Sequence, residues 1–301
     1  MSLISIQHLR KLYGKSRAVD DFSVEIPKGC VFGLLGPNGS GKTTTFKCLL
    51  CLARPTSGTI TFDGKPLAPS DFESIGYVPE RSVLYEWMTV AQHLEMQRRA
   101  FKRYNSKRAN ELLELFALDP KKRVRAMSKG MRTALAVVMA FSIEPELLIL
   151  DEPTSGLDPV NQRAVLNLIV GASAGGSTIV FSSHQIGQVE RAAEAIAVLQ
   201  NGKLILKGLV DDLKAEQKIV EGIFETDQFS LNGLSGDPRI TRVERAGRIL
   251  RLSVRDGSAE FSQKLAAMGA SNVRTVDLNL EDIFLNAVDP TAHAGGIIEV
   301  R

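Results

Sequence analysis

Hydrophobic and polar positions follow two different periods along the chain, and the period changes at recognisable points. Residues Ile4 to Ile26 alternate apolar and polar in short runs broken by Tyr13-Gly14, which predicts antiparallel strands joined by turns. The run Cys30 to Leu35 is continuously apolar, and a glycine-rich stretch separates it from a helix that we expect to begin at Lys42. This order is typical of a buried strand, a loop and a helix.

The middle of the chain predicts a helical insertion followed by two buried strands. From 85 to 145 the pattern is mainly helical, and Ser106 is the N-cap expected for one of its helices. Continuous apolar runs return at Leu147 to Leu150 and at Thr178 to Ser182, each followed by a helical pattern. Buried strands that alternate with helices predict a parallel sheet.

The pattern changes again towards the end of the chain. Ala195 to Leu206 predicts a hairpin around Asn201-Gly202, a dipeptide that type I′ turns favour. Short strand and helix patterns then predict a small α+β accessory domain over 209–288, and 289–301 is expected to be a flexible tail. The fold class predicted for 1–208 is α/β, with an antiparallel β subdomain and a helical subdomain.

Composition narrows the function without identifying it. The chain has 301 residues, 44% of them hydrophobic and 24% charged, which is ordinary for a globular protein with one large and one smaller domain. The formal net charge of +3 is too small for this length to indicate a nucleic-acid-binding surface. We therefore expect no nucleic-acid partner.

Cysteine usage and hydropathy indicate a cytoplasmic protein. Three cysteines do not make a disulfide framework, and they suit a reducing compartment. Cys48 and Cys51 lie in the apolar continuation of the helix from Lys42, and their spacing predicts that both face the core rather than form a redox or zinc site. The longest apolar stretch, around Ala134 to Ile143, is shorter than the roughly 18 residues that a membrane span needs. Any membrane association is therefore expected to be peripheral.

A glycine-rich loop after the first buried strand points to nucleotide phosphates. It satisfies G-x-x-x-x-G-K-[ST] and lies between a predicted strand and a predicted helix, the context that this motif requires. Its backbone N–H groups would surround phosphate oxygens, Lys42 would supply a positive charge, and Thr43 would place its hydroxyl on Mg²⁺. The residues predicted to bind nucleotide here are Gly36, Pro37, Asn38, Gly39, Ser40, Gly41, Lys42, Thr43 and Thr44.

Two acidic residues end the next buried strand. Asp151 and Glu152 directly follow Leu147 to Leu150, and burying a carboxylate is costly unless a cation compensates it. Mg²⁺ is the expected partner of Asp151, while Glu152 is placed to polarise the attacking water as general base. Together with the phosphate loop, these residues predict a P-loop NTPase. No Asn-Lys-x-Asp segment occurs for guanine recognition, which argues against GTP as the substrate.

Three further segments resemble one family of these enzymes. Met127 to Met131 precedes an apolar helix, Ser155 to Asp158 follows the carboxylates, and His184 follows the second predicted parallel strand. In this order they resemble the signature loop, D-loop and switch histidine of the ABC ATPase family, over roughly residues 3 to 208. The resemblance implies ATP and Mg²⁺ as cofactors, a nucleotide-dependent homodimer, and a separately encoded transmembrane permease as partner.

The resemblance also implies roles for single residues. Tyr13 matches the aromatic residue that stacks on adenine, with a buried strand tyrosine as the alternative. Ser128 and Gly130 would contact the γ-phosphate of the nucleotide held by the opposite protomer, and Asp158 would bridge the two protomers. His184 would contact the γ-phosphate and sense its loss.

Two departures from the common pattern resemble an exporter subfamily. The signature loop carries Lys129 and Met131 where many members have glycine and glutamine, and Glu80 stands where glutamine is common. Both departures, and the segment Leu278 to Leu285, resemble subunits associated with drug or antibiotic efflux and polysaccharide export. Glu80 is then expected to join the metal and the catalytic water to the permease-facing insertion. The residues predicted to be catalytic are Lys42, Glu80, Glu152 and His184, and those predicted to bind metal are Thr43, Glu80 and Asp151.

The leading hypothesis is an ATPase that works on the inner face of the cell membrane and drives a permease, in the export direction that the subfamily resemblance implies. The alternative is a soluble ABC-type ATPase acting on ribosomes or nucleic acid. Such proteins usually fuse two cassettes or insert a long coiled coil, whereas this chain has one cassette and no sustained heptads. A nucleotide-gated binding module with little turnover is a third hypothesis, which Glu152 and His184 argue against.

Overall fold

Strands and helices alternate through the first two thirds of the chain. The computed structural model describes residues 2–81, 83–227, 234, 237–288 and 297–299, and the chain divides into two compact units, Met1–Lys207 and Gly208–Arg301. The elements that begin in the first unit are β1 Ser2–Tyr13, β2 Ser16–Pro27, β3 Val31–Leu35, α1 Lys42–Leu49, β4 Ser57–Phe62, β5 Ile75–Val78, α2 Val90–Ala100, α3 Ser106–Leu115, α4 Lys129–Ser142, β6 Leu147–Asp151, α5 Pro159–Ala174, β7 Thr178–Ser183, α6 Ile186–Ala192, β8 Ala195–Gln200 and β9 Lys203–Leu209.

Six strands form the central sheet, in the order β5-β6-β7-β3-β8-β9. Neighbouring strands from β5 to β8 are parallel, with Val31 opposite Ile179 and Ile75 opposite Leu147. Every residue of β3 and β6 is buried, which explains why both runs are continuously apolar rather than alternating. The predicted α/β fold is confirmed, and the carboxyl ends of β3, β6 and β7 meet at one edge of the sheet.

A three-stranded antiparallel sheet, in the order β2-β1-β4, accompanies the central sheet. Buried side chains from β1, β2 and α1, including Leu9, Phe22 and Phe46, share one apolar cluster with those of β3. The antiparallel sheet also comes close to the glycine-rich loop. Gly41 has a φ of 111°, and a methyl group there would lie 2.4 Å from the carbonyl oxygen of Ala18 in β2. Only glycine therefore fits at this point of the loop.

The helical insertion consists of α2, α3 and α4. The Oδ1 atom of Asn105 accepts a hydrogen bond from the N–H of Arg108 at 3.0 Å, so Asn105 is the N-cap of α3 and Ser106 is its first helical residue. The prediction of Ser106 as the cap was wrong by one position, because asparagine and serine cap helices about equally well. Within the described ranges, no helix combines the length and the apolar character that crossing a membrane requires.

The two cysteines of the C-x-x-C segment lie in different environments. Cys48 is buried in α1, as predicted, but Cys51 is exposed. The prediction that both face the core was wrong for Cys51, because α1 ends at Leu49 and Cys51 has a φ of 57°. The helical spacing that would place both on one face does not extend that far along the chain.

The second unit has its own sheet and its own core. Its elements are α7 Val210–Ala215, β10 Lys218–Ile223, β11 Ile240–Ala246, β12 Ile249–Val254, α8 Ser258–Ala267, β13 Ser271–Asp277, α9 Leu280–Val288 and β14 Ile297–Glu299. The strand order is β13-β10-β12-β11-β14, and Phe261 and Leu265 of α8 pack on Val220 and Leu252 of the sheet. Ile297–Glu299 pairs with β11 in parallel, where a flexible tail was predicted. The other residues of 289–301 lie outside the described ranges.

Replacing Asn105 with alanine should lower the free energy of unfolding by about 1 kcal/mol, because its side chain caps α3. Ser106→Ala is the matched control, since Ser106 is exposed and caps nothing, and it should change the value by no more than a few tenths of a kcal/mol. Urea unfolding followed by the fluorescence of Trp87, the single tryptophan in the sequence, measures both variants. Equal effects would contradict the cap assignment.

Candidate functional site

The glycine-rich loop connects β3 to α1 and leaves the start of that helix open. Gly41 occupies the N-cap position in a left-handed conformation, and no side chain caps the first amide groups of α1. Uncapped amides at a helix N-terminus attract anions, because their N–H groups and the helix dipole both present positive charge. The loop geometry therefore suits phosphate oxygens.

Lys42 is buried in this loop and is held by backbone oxygens. Its Nζ atom donates hydrogen bonds to the carbonyl oxygens of Gly36 at 2.7 Å and Pro37 at 3.2 Å. It also lies 4.0 Å from Oε1 of Glu152. Burial lowers the pKa of the Lys42 ammonium, while the negative charges of Glu152, Asp151 and Glu80 oppose that shift.

Asp151 and Glu152 lie at the carboxyl end of β6, and both are buried, with 1% and 8% of their surfaces exposed. Ser182 of β7 orients the pair: its Oγ donates to Oδ1 of Asp151 at 2.6 Å and accepts from the backbone N–H of Glu152 at 3.1 Å. Burial raises the pKa of both carboxyls. For Asp151, hydrogen bonding by Ser182 and Thr43 offsets part of this rise in pKa.

The two carboxylates retain unused acceptor atoms. Oδ2 of Asp151 and Oε1 of Glu152 are buried and have no hydrogen-bond partner among the described residues. A hard cation such as Mg²⁺ prefers oxygen ligands, and Asp151 and Thr43 together offer a carboxylate and a hydroxyl. The donor set therefore fits the metal that the sequence predicts.

His184 follows β7 and contacts the second carboxylate. Its Nδ1 atom lies 2.8 Å from Oε2 of Glu152, and its side chain is half exposed. Glu152 adopts a φ of 52°, which is unusual for a residue other than glycine and marks a sharp turn after the strand. The turn directs the Glu152 carboxylate to a position between His184 and Lys42.

A cleft of about 390 Å³ unites most of the predicted residues. Glu80 lines it and contributes negative charge beside Asp151, although its own side chain is exposed. Tyr13 ends β1 with 50% of its surface exposed and the Lys11 ammonium 4.8 Å from its ring centre, so the alternative of a buried strand tyrosine is wrong. The lining residues are Ala18, Asn38, Gly39, Ser40, Gly41, Lys42, Thr43, Thr44, Glu80, Asp151 and Glu152.

Ser128, Gly130 and Asp158 do not line this cleft and form a second cluster. Ser128 caps α4, its Oγ accepting from the N–H of Met131 at 3.2 Å. A methyl group on Gly130 would lie 2.4 Å from the carbonyl oxygen of Gly156, so the two segments touch through their backbones. Asp158 is exposed and caps α5, and hydrogen bonds from Asn161 and Val160 lower its pKa.

The contacts of two residues in these clusters escaped the sequence analysis. Ser182 orients both carboxylates, and the only signal for it was a hydroxyl near the carboxyl end of a buried strand. Lys129 donates from Nζ to Oγ of Ser155 at 2.8 Å and thereby joins the signature segment to the segment after Glu152. The sequence identified Lys129 as a departure from the common pattern but gave it no partner.

Comparisons with known proteins agree on one family. A family model described as ABC transporter matches residues 19–155. YhaQ of Bacillus subtilis, described as an uncharacterised ABC transporter ATP-binding protein, is 34% identical over 95% of this chain and 98% of its own length. Nod factor export ATP-binding protein I of Cupriavidus pinatubonensis is 35% identical over 94% of this chain and 90% of its own. A solved structure of the ATP-binding subunit of an ABC transporter has a TM-score of 0.65 and 31% identity, and covers 71% of this chain and 92% of that one.

Asp151→Asn should raise the melting temperature of the nucleotide-free and Mg²⁺-free protein at neutral pH. Burial raises the pKa of this carboxyl above its ordinary value of 3.8, so its charged form costs stability at every pH above the raised value. The gain should shrink as the pH falls through that raised pKa, since wild-type Asp151 is then protonated as well. A gain of about 1 kcal/mol would raise Tm by about 2–4 °C. A melting-temperature difference that does not depend on pH would contradict this assignment.

Proposed function

The chain belongs to the ABC transporter family of ATP-binding proteins, and on that premise we propose that two copies close around Mg-ATP and drive a separately encoded permease in the export direction. The protein is an ATPase subunit of a transporter. The observation that carries the proposal is the cleft in which an uncapped helix N-terminus, a buried lysine and two buried carboxylates converge. Along the chain, we propose that the ATPase domain spans 1–208 and the accessory domain spans 209–288.

The residues of the cleft have different proposed roles in ATP hydrolysis. The loop amides and Lys42 would hold the phosphates, while Thr43, Asp151 and Glu80 would hold the metal. Mg²⁺, when bound, supplies positive charge that neutralises phosphate and carboxylate oxygens. Glu152 takes the proton of the attacking water, since its raised pKa makes it a stronger base than an exposed carboxylate. His184 orients that carboxylate through its 2.8 Å contact.

The second cluster supports a site that two copies complete. Ser128 and Gly130 begin α4, an apolar helix whose N-terminus is at the surface and away from the cleft of the same chain. We propose that this end of α4 faces the nucleotide of the partner protomer, where its dipole favours the γ-phosphate. Asp158 then lies near the contact between protomers. Tyr13, exposed at the end of β1, is proposed to stack on adenine.

An apolar groove beside the helical insertion suits a permease helix. It has a volume of about 240 Å³, and Val83 of the loop before α2 lines it. Tyr85 and Trp87 of the same loop are exposed. Exposed apolar groups next to a groove are typical of a protein contact site. We propose that an amphipathic segment of the permease on the inner face of the membrane occupies it. The groove is lined by Ile75, Gly76, Tyr77, Pro79, Val83, Leu84, Gln97, Phe101, Ala136, Met139, Ala140 and Ile143.

Export is proposed from the relatives, one of which is named for Nod factor export. The alternative of a soluble ATPase acting on ribosomes or nucleic acid has no support from the comparisons.

The proposed permease contact is tested by purification of the tagged protein from detergent-solubilised membranes of cells that produce it. A polytopic membrane protein should accompany wild type and be lost when Trp87 and Tyr85 are both replaced by serine. Recovery of ribosomal RNA or DNA in its place would contradict the proposal.

Glu152→Gln should leave ATP binding intact and lower the hydrolysis rate by about 10²–10⁴-fold, the range expected when a general base is lost. The variant should also accumulate as an ATP-bound dimer. Phosphate release and size-exclusion chromatography with ATP measure the two effects. Hydrolysis close to the wild-type rate, after contaminating ATPases have been excluded, would show that another group accepts the proton.

Mixing a Lys42→Ala protomer with a Ser128→Arg protomer should restore part of the ATPase activity that each variant lacks alone. If the site is shared, the mixed dimer has one site with both residues intact and one site with neither. Differently tagged protomers allow the mixed dimer to be isolated and assayed for phosphate release. No recovery in an isolated mixed dimer would contradict completion of the site by the partner.

A further inference from the structure

The loop that precedes α2 presents two aromatic side chains to solvent. Tyr85 is 45% exposed and Trp87 is 66% exposed, and their ring centroids lie 4.9 Å apart. Large exposed aromatic side chains are useful for binding only if the backbone holds them in place, because ordering a mobile loop opposes association. The contacts of this backbone therefore decide how well the pair can bind a partner.

The second half of the loop is fixed by the segment that leads into the signature loop. The carbonyl oxygen of Glu86 accepts from the N–H of Arg125, and that of Met88 accepts from the N–H of Val124, both at 3.0 Å. The Glu86 side chain also forms an ion pair with Arg132 of α4 at 3.3 Å. Movement of the loop is thereby linked to the start of α4.

The first half of the loop is held by His93, a residue of α2 with 1% of its surface exposed. Its Nε2 atom lies 3.0 Å from the backbone nitrogen of Tyr85, and its Nδ1 atom lies 2.9 Å from the carbonyl oxygen of Thr89. A backbone N–H can only donate and a carbonyl can only accept, so the ring is neutral, with its proton on Nδ1. The Tyr85 ring also stacks on the imidazole, with 6.1 Å between centroids.

We propose that His93 is a positioning residue that holds Tyr85 and Trp87 in the arrangement that the permease binds. This inference rests on the proposed function for the identity of the partner, but not for the contact itself. His93 accepts a hydrogen bond from the Tyr85 N–H, orders the start of the loop and stacks on the Tyr85 ring, which in turn packs against Trp87. Together with Glu86 and Met88, it joins the partner-binding surface to α2 on one side and to the signature segment on the other.

A histidine that only filled space would not need both ring nitrogens. Here each nitrogen has one partner, and both partners are backbone groups that only one tautomer satisfies. An apolar ring of similar size would fill the same volume but leave the Tyr85 N–H without its acceptor. The two roles therefore predict different results for substitutions that preserve different parts of the imidazole.

Three substitutions separate these parts. In His93→Gln the side-chain oxygen reaches about as far as Nε2 and can accept from Tyr85, whereas in His93→Asn the shorter amide can reach only Thr89. His93→Phe keeps the ring and loses both hydrogen bonds. Glu95→Gln is the control on the same helix, because the ion pairs of Glu95 are with Arg98 and Arg99 of that helix.

The measurements use the isolated subunit first. Hydrogen exchange of the Tyr85 amide should accelerate by about two- to tenfold in His93→Asn and His93→Phe, as expected when a hydrogen bond of ordinary strength is lost. Their Trp87 fluorescence anisotropy should fall, and Trp87 is the single tryptophan in the sequence. His93→Gln and Glu95→Gln should match wild type in both measurements. Unchanged Tyr85 exchange in His93→Asn, with a melting temperature that shows the variant is folded, would overturn the proposal.

Co-purification with the permease then tests whether His93 contributes to permease binding. The yield of permease per ATPase subunit should fall in His93→Asn and His93→Phe and be retained in His93→Gln. Equal yields in all variants, despite a loosened loop, would overturn the role of His93 in permease binding. If wild type itself retains no permease, the proposed function fails, while the exchange data still decide whether His93 holds the loop.

Discussion

The site depends on an imbalance of buried charge. Two buried carboxylates and one buried ammonium lie together at the carboxyl edge of the parallel sheet. Asp151 and Glu152 carry more negative charge than Lys42 can balance, and burial works against the charged form of all three. The surrounding structure reduces that cost. Ser182 donates to one carboxylate, His184 contacts the other, and the Lys42 ammonium is held by loop carbonyls. The remaining imbalance favours a divalent cation.

The signature segment connects this charged edge to the proposed permease surface. Just before it, Val124 and Arg125 bond to the loop that carries the exposed aromatic pair. Near the N-terminus of α4, Lys129 and Thr133 bond to Ser155, three residues after Glu152 in the chain. A displacement at either surface would therefore act on the same short helix end. Short hydrogen-bonded connections of this kind transmit motion through discrete rearrangements rather than gradual deformation.

The sequence predicted the fold and the main site where local pattern and chemistry coincide, as in the apolar β3 followed by the phosphate loop, or β6 ending in Asp151. It failed where two neighbours are chemically equivalent, as for Asn105 and Ser106, or where a helix stops early, as before Cys51. Ser182 and His93 were missed for another reason. Their roles come from partners that only the fold brings near, Asp151 from a neighbouring strand and the Tyr85 N–H from a loop. Single-residue periodicity carries no information about such partners.

The position of β3 inside the sheet has a consequence for synthesis of the chain on the ribosome. This strand, which leads into the phosphate loop, is hydrogen-bonded on both sides by strands made much later, with Val31 opposite Ile179 and Phe32 opposite Ala195. At about 5–20 residues per second, roughly 7–30 s separate the synthesis of β3 from that of its first neighbour. During that time an entirely apolar strand has neither edge covered. The nascent chain must therefore rely on the antiparallel sheet and α1, which share its apolar cluster and are made early, or on chaperones, to keep β3 from pairing with other chains.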